Sequence, residues 1–580
     1  MKYLWAAILV WVSTTAFAQT TFRTTVVDSL SGAAVPYATA YNLRSGSGTV
    51  SDERGRLVLE NNRLGDSIRI AYLGYRDEIR TVGAISADQW IRLVPRVTTL
   101  DVVTVLADND YLYELLAECR KRIRPRSRTA RTYMGVETFM GGRCVEAVEA
   151  YYNGELDGYD LKSLAFKNGR IGLWPFEGRY FLSTETSRAF YLQQLTQSNP
   201  SFPVGPLELK RRTCQRAFIL SLDDSYTAAD GRTVEVISFV PRDSSGGYFL
   251  GRIWVTPQDY AIRKIELRAE RATRHPFVAI GRADRLRRVD MRLAKTYRVT
   301  RGESLLESID FDYSVDYRTR TGKRLSVRTA AIPYVYDYAQ PFVLPRFDYV
   351  AGRYEDYRKI EATPYNPIFW QRADAFRRPA IAARLDTAAQ RRVSDRRTLQ
   401  LDWRPGQTLF QHYYLPWGPE RFTFRSSVPP ALLRGNRLVT KSDEYRLTGQ
   451  IYLDINPSGD SLHVITRAVF DPFQSYFRLS QTPATAAFIN LYLDLVELER
   501  RTLEARIAAD GANTVPQILT RYESAQARLK ATTAKYLKEV QRGESRKGML
   551  RWNERVKAAL GVDNVALFDL ETYWAGEESQ

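Results

Sequence analysis

With 580 residues the chain is too long for one small core, so roughly three or four domains are expected, and 44% hydrophobic with 12% aromatic residues exclude a disordered polymer. A net charge of +18, from 84 Lys and Arg against 66 Asp and Glu, invites a nucleic-acid reading. The distribution argues against one, because the basic residues are spread along the chain with only small clusters at Arg120-Lys-Arg122, Arg124 to Arg131, Lys210-Arg-Arg212, Arg285 to Arg288 and Arg377-Arg378, a pattern of solvated faces or of contact with envelope polyanions.

Met1 to Ala18 has Lys2 at its start, an apolar run from Leu4 to Val12 and Ala16-Phe-Ala18 as a small-residue cleavage site. Residues 1–18 therefore read as a signal peptide. Gln19 follows the cleavage site where a lipoprotein would carry cysteine, so no lipid anchor is expected. Beyond the leader no apolar run approaches the ~18 residues of a spanning helix. Export to the periplasm or the outer-membrane surface is the expected location.

Residues 20–107 read as short strands separated by turn signals. Phe22 to Asp28 is rich in β-branched residues, and Asp28-Ser-Leu-Ser-Gly32 supplies a turn. Tyr37 to Leu43, Thr49 to Ser51, Arg56 to Leu59 and Ile68 to Tyr72 follow, and Gly55 in Asp52-Glu-Arg-Gly55 suits a positive φ. Such spacing predicts a sandwich. With Ala34-Val-Pro-Tyr-Ala-Thr-Ala40 and Leu73-Gly-Tyr75, these phrases resemble the carboxypeptidase regulatory-like domain found in Bacteroidota envelope proteins. That resemblance implies a seven-stranded, transthyretin-like sandwich in an accessory role, and Leu100-Asp-Val-Val-Thr-Val105 is similar to the valine-rich linker that often ends it. Two familiar continuations are absent: the later residues lack the repeated ten-residue strands of a receptor barrel and the metal-binding histidines and carboxylates of the zinc carboxypeptidases.

Residues 111–340 read as one helix followed by a large antiparallel sheet. Leu112, Leu115, Leu116, Cys119 and Ile123 form a helical stripe that Pro125 stops. Alternating segments then run from Tyr133 to Met140, Arg143 to Tyr152, Lys162 to Lys167, Ala217 to Leu222, Thr233 to Pro241, Tyr248 to Thr256, Ala261 to Arg271, Leu293 to Thr300, Glu307 to Tyr317 and Leu325 to Tyr338. The stretch from Phe239 to Glu266, with Gly251-Arg-Ile-Trp-Val255 and Ala261-Ile-Arg-Lys-Ile-Glu266, is similar to strands of the periplasmic lipoprotein-carrier fold. That resemblance implies a curved half-barrel whose concave apolar face holds acyl chains. The plainer expectation is a face sealed by the helix from Leu112 to Ile123.

In residues 341–404 the prolines Pro364 and Pro367 enforce extended backbone around Ala362-Thr-Pro-Tyr-Asn-Pro-Ile-Phe-Trp370, which predicts a strap whose aromatics either pin it to the sheet or stack on sugars. Residues 405–480 give a small β region, with a hairpin around Asn456-Pro-Ser-Gly-Asp460. Residues 484–562 are helical: Thr485 to Ala509, Val515 to Gln541 and Ser545 to Leu560 ending at Gly561, the first two an antiparallel hairpin. Residues 563–580 are expected to be a tail. Asn490, Asp494, Glu497 and Arg501 share a helical face that a divalent metal or a basic partner could use, although such faces are ordinarily solvated.

Cys119, Cys144 and Cys214 permit one disulfide with a leftover thiol, or three buried thiols, and no zinc site. Only His412, beside Tyr413 and Asp402, stands near plausible catalytic partners; His275 and His463 do not. The carboxylate pairs Asp223-Asp224 and Asp310 with Asp312 have no recognisable motif around them, and neither a nucleophile elbow nor a phosphate loop is present. No catalytic, metal or cofactor residue is assigned. The sequence thus supports a non-catalytic exported envelope protein, binding or scaffolding at the outer membrane with an outer-membrane protein or envelope polyanion as partner and no nucleic acid. A periplasmic carrier of a lipid-like ligand and a cell-wall hydrolase are the alternatives.

Overall fold

The computed structural model describes residues 20–578 apart from 96–109, 177–185, most of 350–397, 430–443 and short turn segments, so the expected signal peptide, the valine-rich linker and His412 lie outside the described residues. The chain is mainly β, with helices gathered at its C-terminal end.

The N-terminal region contains β1 (Thr20–Asp28), β2 (Thr39–Asn42), β3 (Gly48–Val50), β4 (Arg56–Asn62), β5 (Ser67–Ala71), β6 (Glu78–Thr81) and β7 (Gln89–Leu93), in two sheets ordered β4-β1-β7 and β3-β2-β5-β6. Strand alternation turns Val26, Leu57, Leu59, Ile91 and Leu93 of the first sheet against Ala40, Ile68 and Ile70 of the second. Gly55 has φ +73°, and a Cβ there would stand 2.3 Å from the Val26 carbonyl oxygen, so the turn it was expected to make admits only glycine.

Next comes α1 (Asp110–Arg122), then β8 (Ser127–Met140), β9 (Arg143–Asp157) and β10 (Asp160–Leu173). A long connection carries α2 (Thr186–Leu192), a single 3-10 turn at Pro206–Glu208 and α3 (Arg211–Ala217). A second meander follows: β11 (Phe218–Thr227), β12 (Thr233–Pro241), β13 (Leu250–Thr256), β14 (Ala261–Ala269), β15 (Arg285–Thr300), β16 (Glu303–Arg318) and β17 (Arg324–Asp337). Among the described residues these make one ten-stranded antiparallel sheet, ordered β10-β9-β8-β17-β16-β15-β14-β13-β12-β11. The first strand of one meander and the last of the other, β8 and β17, pair inside the sheet, and the long connection must travel between opposite margins.

It does so across one face. Met134, Val136, Val148, Tyr152, Leu293, Phe311 and Val315 turn toward that face and share a core with Leu112, Leu115, Leu116 and Cys119 of α1, Phe190 of α2, and Phe202 and Leu207 of the connection. The sheet curls around these elements. Five strand spacings separate β10 from β15, which in a flat sheet is about 24 Å, yet Lys295 of β15 donates to Asp160 of β10 at 2.8 Å. Two side chains cannot bridge the flat distance, so the helix-covered face is the concave one. Lys295 Nζ also donates to the Gln193 carbonyl, and Asp160 accepts from the Leu195 amide, which ties the connection to both walls.

The C-terminal region begins with β18 (Thr398–Arg404), β19 (Gln407–Gln411), β20 (Leu415–Pro416), β21 (Thr423–Ser426), β22 (Tyr445–Arg446), β23 (Gly449–Ser458), β24 (Ser461–Phe470) and β25 (Tyr476–Phe477) in three small sheets. Residues 398–404, expected in the strap, therefore form a strand: Leu399 and Leu401 are buried in this core. Helices α4 (Pro483–Ala509), α5 (Val515–Val540) and α6 (Arg546–Leu560) pack on the sheets, with Gly561 ending α6 at φ +74°. The expected tail is corrected by α7 (Asn564–Leu567) and α8 (Leu570–Glu578), since Val565, Leu570 and Trp574 are buried against the same core. Their short amphipathic spacing falls below the length at which helical periodicity is legible.

Removing one partner of a buried ion pair leaves the other charge without compensation, which costs about 3–5 kcal/mol. Lys295→Met is expected to destabilise the central domain by about that amount, and Asp160→Asn combined with Lys295→Met by clearly less. Urea unfolding followed by tryptophan fluorescence checks both.

Candidate functional site

Two surfaces of the sheet can carry function, and the concave one is occupied by the chain itself. Phe190 stacks edge-on to Phe311 at 6.2 Å, and Phe218 contacts Phe239 and Tyr248 at 5.7 and 5.6 Å. Tyr113 of α1 donates to the Phe218 carbonyl, seating the helix on the start of β11. The helix from Leu112 does cover this face, as the plainer expectation held, but α2, α3 and their connection, which sequence patterning missed, complete the covering.

The opposite face collects charge. On β14, Ile265 and Leu267 turn to the concave core, so alternation turns Lys264, Glu266 and Arg268 the other way. Register sets Glu266 opposite Ala294 and Ala294 opposite Asp310, while Arg268 faces Arg292 and Arg292 faces Asp312. A row with two carboxylates, Glu266 and Asp310, therefore lies beside a row that carries Arg268, Arg292 and Asp312. Lys264 Nζ donates to Glu266 at 2.8 Å and lies 4.9 Å from the Trp254 ring and 5.4 Å from the ring of Tyr72, a residue of the sandwich. Tyr334 of β17 donates to Tyr41 of the sandwich at 3.0 Å and lies 3.4 Å from Glu307. The N-terminal sandwich is thus docked over this charged seam.

Burial and charge set the titration of the seam. Loss of water pushes the Asp310 carboxyl up to about 7; Asp312 adds to the shift, and Lys264, Arg292 and Arg378 oppose it. Its Oδ1 is enclosed without a hydrogen-bond partner. Burial also pushes Glu266 upward, but Lys264, Arg292 and Arg268 outweigh it and hold that carboxylate below the ordinary range. Glu307 is raised by burial against the pull of Arg298, Tyr334 and Arg69. The seam therefore joins a lysine held between rings, a carboxyl protonated up to neutrality, and arginines. It can clamp two domains or receive a polar group.

The remaining residues singled out in the sequence are placed as follows. Asp223 pairs with Arg252 at 3.0 Å, and Asp224 accepts from the Ser225 amide at a register shift within β11. His275 stacks on Phe277, and His463 sits in β24 opposite Asn456. Asp402 accepts from Ser427. Asn490, Asp494 and Glu497 are buried, not solvated: Asn490 bonds the Phe422 backbone, Asp494 accepts from Trp417, Arg421 and Asn564, and Glu497 holds Arg500 and Arg501. Their acceptors are already engaged by the chain's own donors. Among the described residues no group of three His, Cys, Asp or Glu is placed to hold a metal. Cys119, Cys144 and Cys214 are all free thiols, two of them buried in the concave core. No helix among the described residues is long and apolar enough to cross a membrane. The strap places Phe369 and Trp370 against Tyr151 at 5.2 and 5.6 Å, with Arg170 over the Trp370 ring.

No family model and no curated protein matches the chain. Solved structures show faint likeness. A LolA superfamily protein, NE2245 from Nitrosomonas europaea, is 12% identical, with 39% of this chain and 97% of that one covered at a TM-score of 0.15. MucB in complex with MucA(peri) is 12% identical over 40% of this chain and 99% of its own, at 0.13. A putative membrane-associated protein of unknown function from Bacteroides fragilis NCTC 9343 is 9% identical over 55% and 98%, at 0.10. At these scores the likenesses carry no argument about function.

Between the ordinary carboxylate value and about 7, the folded chain keeps a proton on Asp310 that the unfolded chain releases. The contribution of this group to stability is therefore full below that window and falls as pH rises through it. Asp310→Asn is expected to flatten the stability profile over this window and to leave the variant the more stable form at pH 8, as read by thermal melts across pH.

Proposed function

We propose that this chain is an exported envelope protein without catalytic activity, which binds or scaffolds at the outer membrane through an accessory N-terminal sandwich of the carboxypeptidase regulatory-like kind. The observation that carries this reading is the filled concave face. A carrier needs an apolar cavity for its cargo, whereas here Phe190, Phe202, Phe218, Phe239 and Phe249 are all buried among the chain's own helices and strands. The leader-like first eighteen residues, Met1 to Ala18, support export. The docked sandwich and the C-terminal helices leave broad outward surfaces for an outer-membrane protein or an envelope polyanion.

The alternative, a periplasmic carrier of a lipid-like ligand, draws on the curl of the sheet. It requires α1 and the α2–α3 connection to move off the concave face, exposing the core they now bury.

Organic extraction of protein purified from the envelope, followed by mass spectrometry, is expected to return no stoichiometric lipid. Cross-linking in cells is expected to capture one envelope partner reproducibly, and stoichiometric lipid with no such partner reverses the assignment. Phe190→Ala separates the readings at the residue level: in a filled core it costs about 3–5 kcal/mol, whereas on the wall of an open cleft it costs little.

A further inference from the structure

The sandwich turns one of its sheets toward the body and the other away. The β3-β2-β5-β6 sheet brings Tyr41 and Val50 to the large sheet, and Tyr72, just past β5, reaches Lys264. The β4-β1-β7 sheet directs Val26, Leu57, Leu59, Ile91 and Leu93 inward, so alternation turns Arg23, Thr25, Arg56, Val58, Trp90 and Arg92 outward, with the acid Glu60 at the far end of β4 from Arg56. Trp90 is 64% exposed there. Thr25 pairs with Arg56 on one side and with Trp90 on the other, which fixes the row Arg56, Thr25, Trp90. Arg92 lies two residues along β7 and Arg23 two residues along β1. With strands ~4.8 Å apart and alternate residues ~6.7 Å apart, three guanidinium-bearing positions surround the indole within about 10 Å. Between them Thr25 and Val58 are short, which leaves a low floor beside the ring.

An isolated basic patch attracts any polyanion, and an isolated exposed ring is unremarkable. Their combination on a flat face directed away from the body is more selective. An indole stacks on the C–H face of a flat ring, and the guanidinium fork matches a carboxylate in two parallel hydrogen bonds. We propose that this outward face binds an acidic polysaccharide, with Trp90 under a sugar ring and Arg23, Arg56 and Arg92 receiving its carboxylates. Arg56 is held partly by Asp52 at 2.8 Å and Arg23 has a contact of its own within the chain, so Arg92 carries most of the charge recognition. The choice of a glycan over single-stranded nucleic acid, which also offers rings and anions, rests on the export proposed above.

Affinity electrophoresis and calorimetry of the purified chain with polygalacturonate test the assignment, with dextran, a single-stranded oligonucleotide and anionic phospholipid vesicles in parallel arms. Saturable, salt-sensitive binding to polygalacturonate and none to dextran is expected. Trp90→Ala should weaken binding on the order of tenfold, and Arg92→Gln should flatten its salt dependence, both with unchanged circular dichroism and melting. Polygalacturonate binding that Trp90→Ala leaves intact overturns the proposal, as does binding confined to the oligonucleotide or the vesicles. Cell fractionation run alongside separates the two readings: a chain that binds polygalacturonate but stays out of the envelope defeats export alone, and an envelope chain that ignores polygalacturonate defeats this site alone.

Discussion

The pair between Lys295 and Asp160 sets the shape on which the rest depends. It spans the hollow of a ten-stranded sheet, and its two members sit on strands that a flat sheet would hold far apart. A closed barrel would fix curvature by its own hydrogen bonds. This sheet keeps two ends, β10 and β11, so its curl must come from what fills it. The rings of α2 and the connection supply the volume, and the ion pair with its backbone partners Gln193 and Leu195 supplies the span. Volume alone would tolerate many curvatures, since apolar packing is not directional; a fully buried lysine tolerates only the one that gives it its carboxylate.

Buried lysines also mark the other two junctions, one of them as a second bridge between distant elements. Lys167 of β10 meets Asp454 of β23 and the carbonyls of Val343 and Ile455, which fixes the C-terminal region to the sheet. Lys264 of β14 meets Glu266 beneath Tyr72 of the sandwich. Burying an ammonium group is expensive, and an apolar contact of equal volume would hold two surfaces at least as firmly. What Lys295 and Lys167 add is a fixed register, because each finds its carboxylate on a separate strand, whereas Lys264 and Glu266 share β14 and meet the sandwich only at the Tyr72 ring.

Much of the architecture was legible in the sequence because it is written in local periodicity. Alternation located the long strands, Gly55 and Gly561 marked a turn and a helix stop, and the stripe from Leu112 to Cys119 gave α1 with its buried side. Contacts between distant segments were not legible. Lys295 and Asp160 lie 135 positions apart and Lys167 and Asp454 lie 287 apart, and nothing local distinguishes a lysine that will be buried from one that will be solvated. Asp494 shows the same limit: its helical neighbours suggest an open polar face, and only the arrival of Trp417, Arg421 and Asn564 from other elements buries it. Asp310 and Asp312 stood out as a pair on one strand face, but the cations that give them meaning come from β14, β15 and the strap.

The three junctions are unequal in how completely their charges are met. Lys295 and Lys167 each combine a carboxylate with backbone carbonyls, so their hydrogens are directed at fixed acceptors. Lys264 has one carboxylate and two aromatic faces, and the neighbouring Asp310 keeps an enclosed oxygen without a partner. An unmatched acceptor in a buried seam is a cost that grows when the group ionises. The sandwich junction is therefore the one of the three whose unmatched group is a carboxyl raised to about 7, which makes it the one that responds to pH near neutrality. It also holds the part of the chain that faces outward with Trp90, so the most responsive joint in the molecule carries its most exposed recognition surface, while the two well-matched lysines keep the sheet and the C-terminal region as a fixed base behind it.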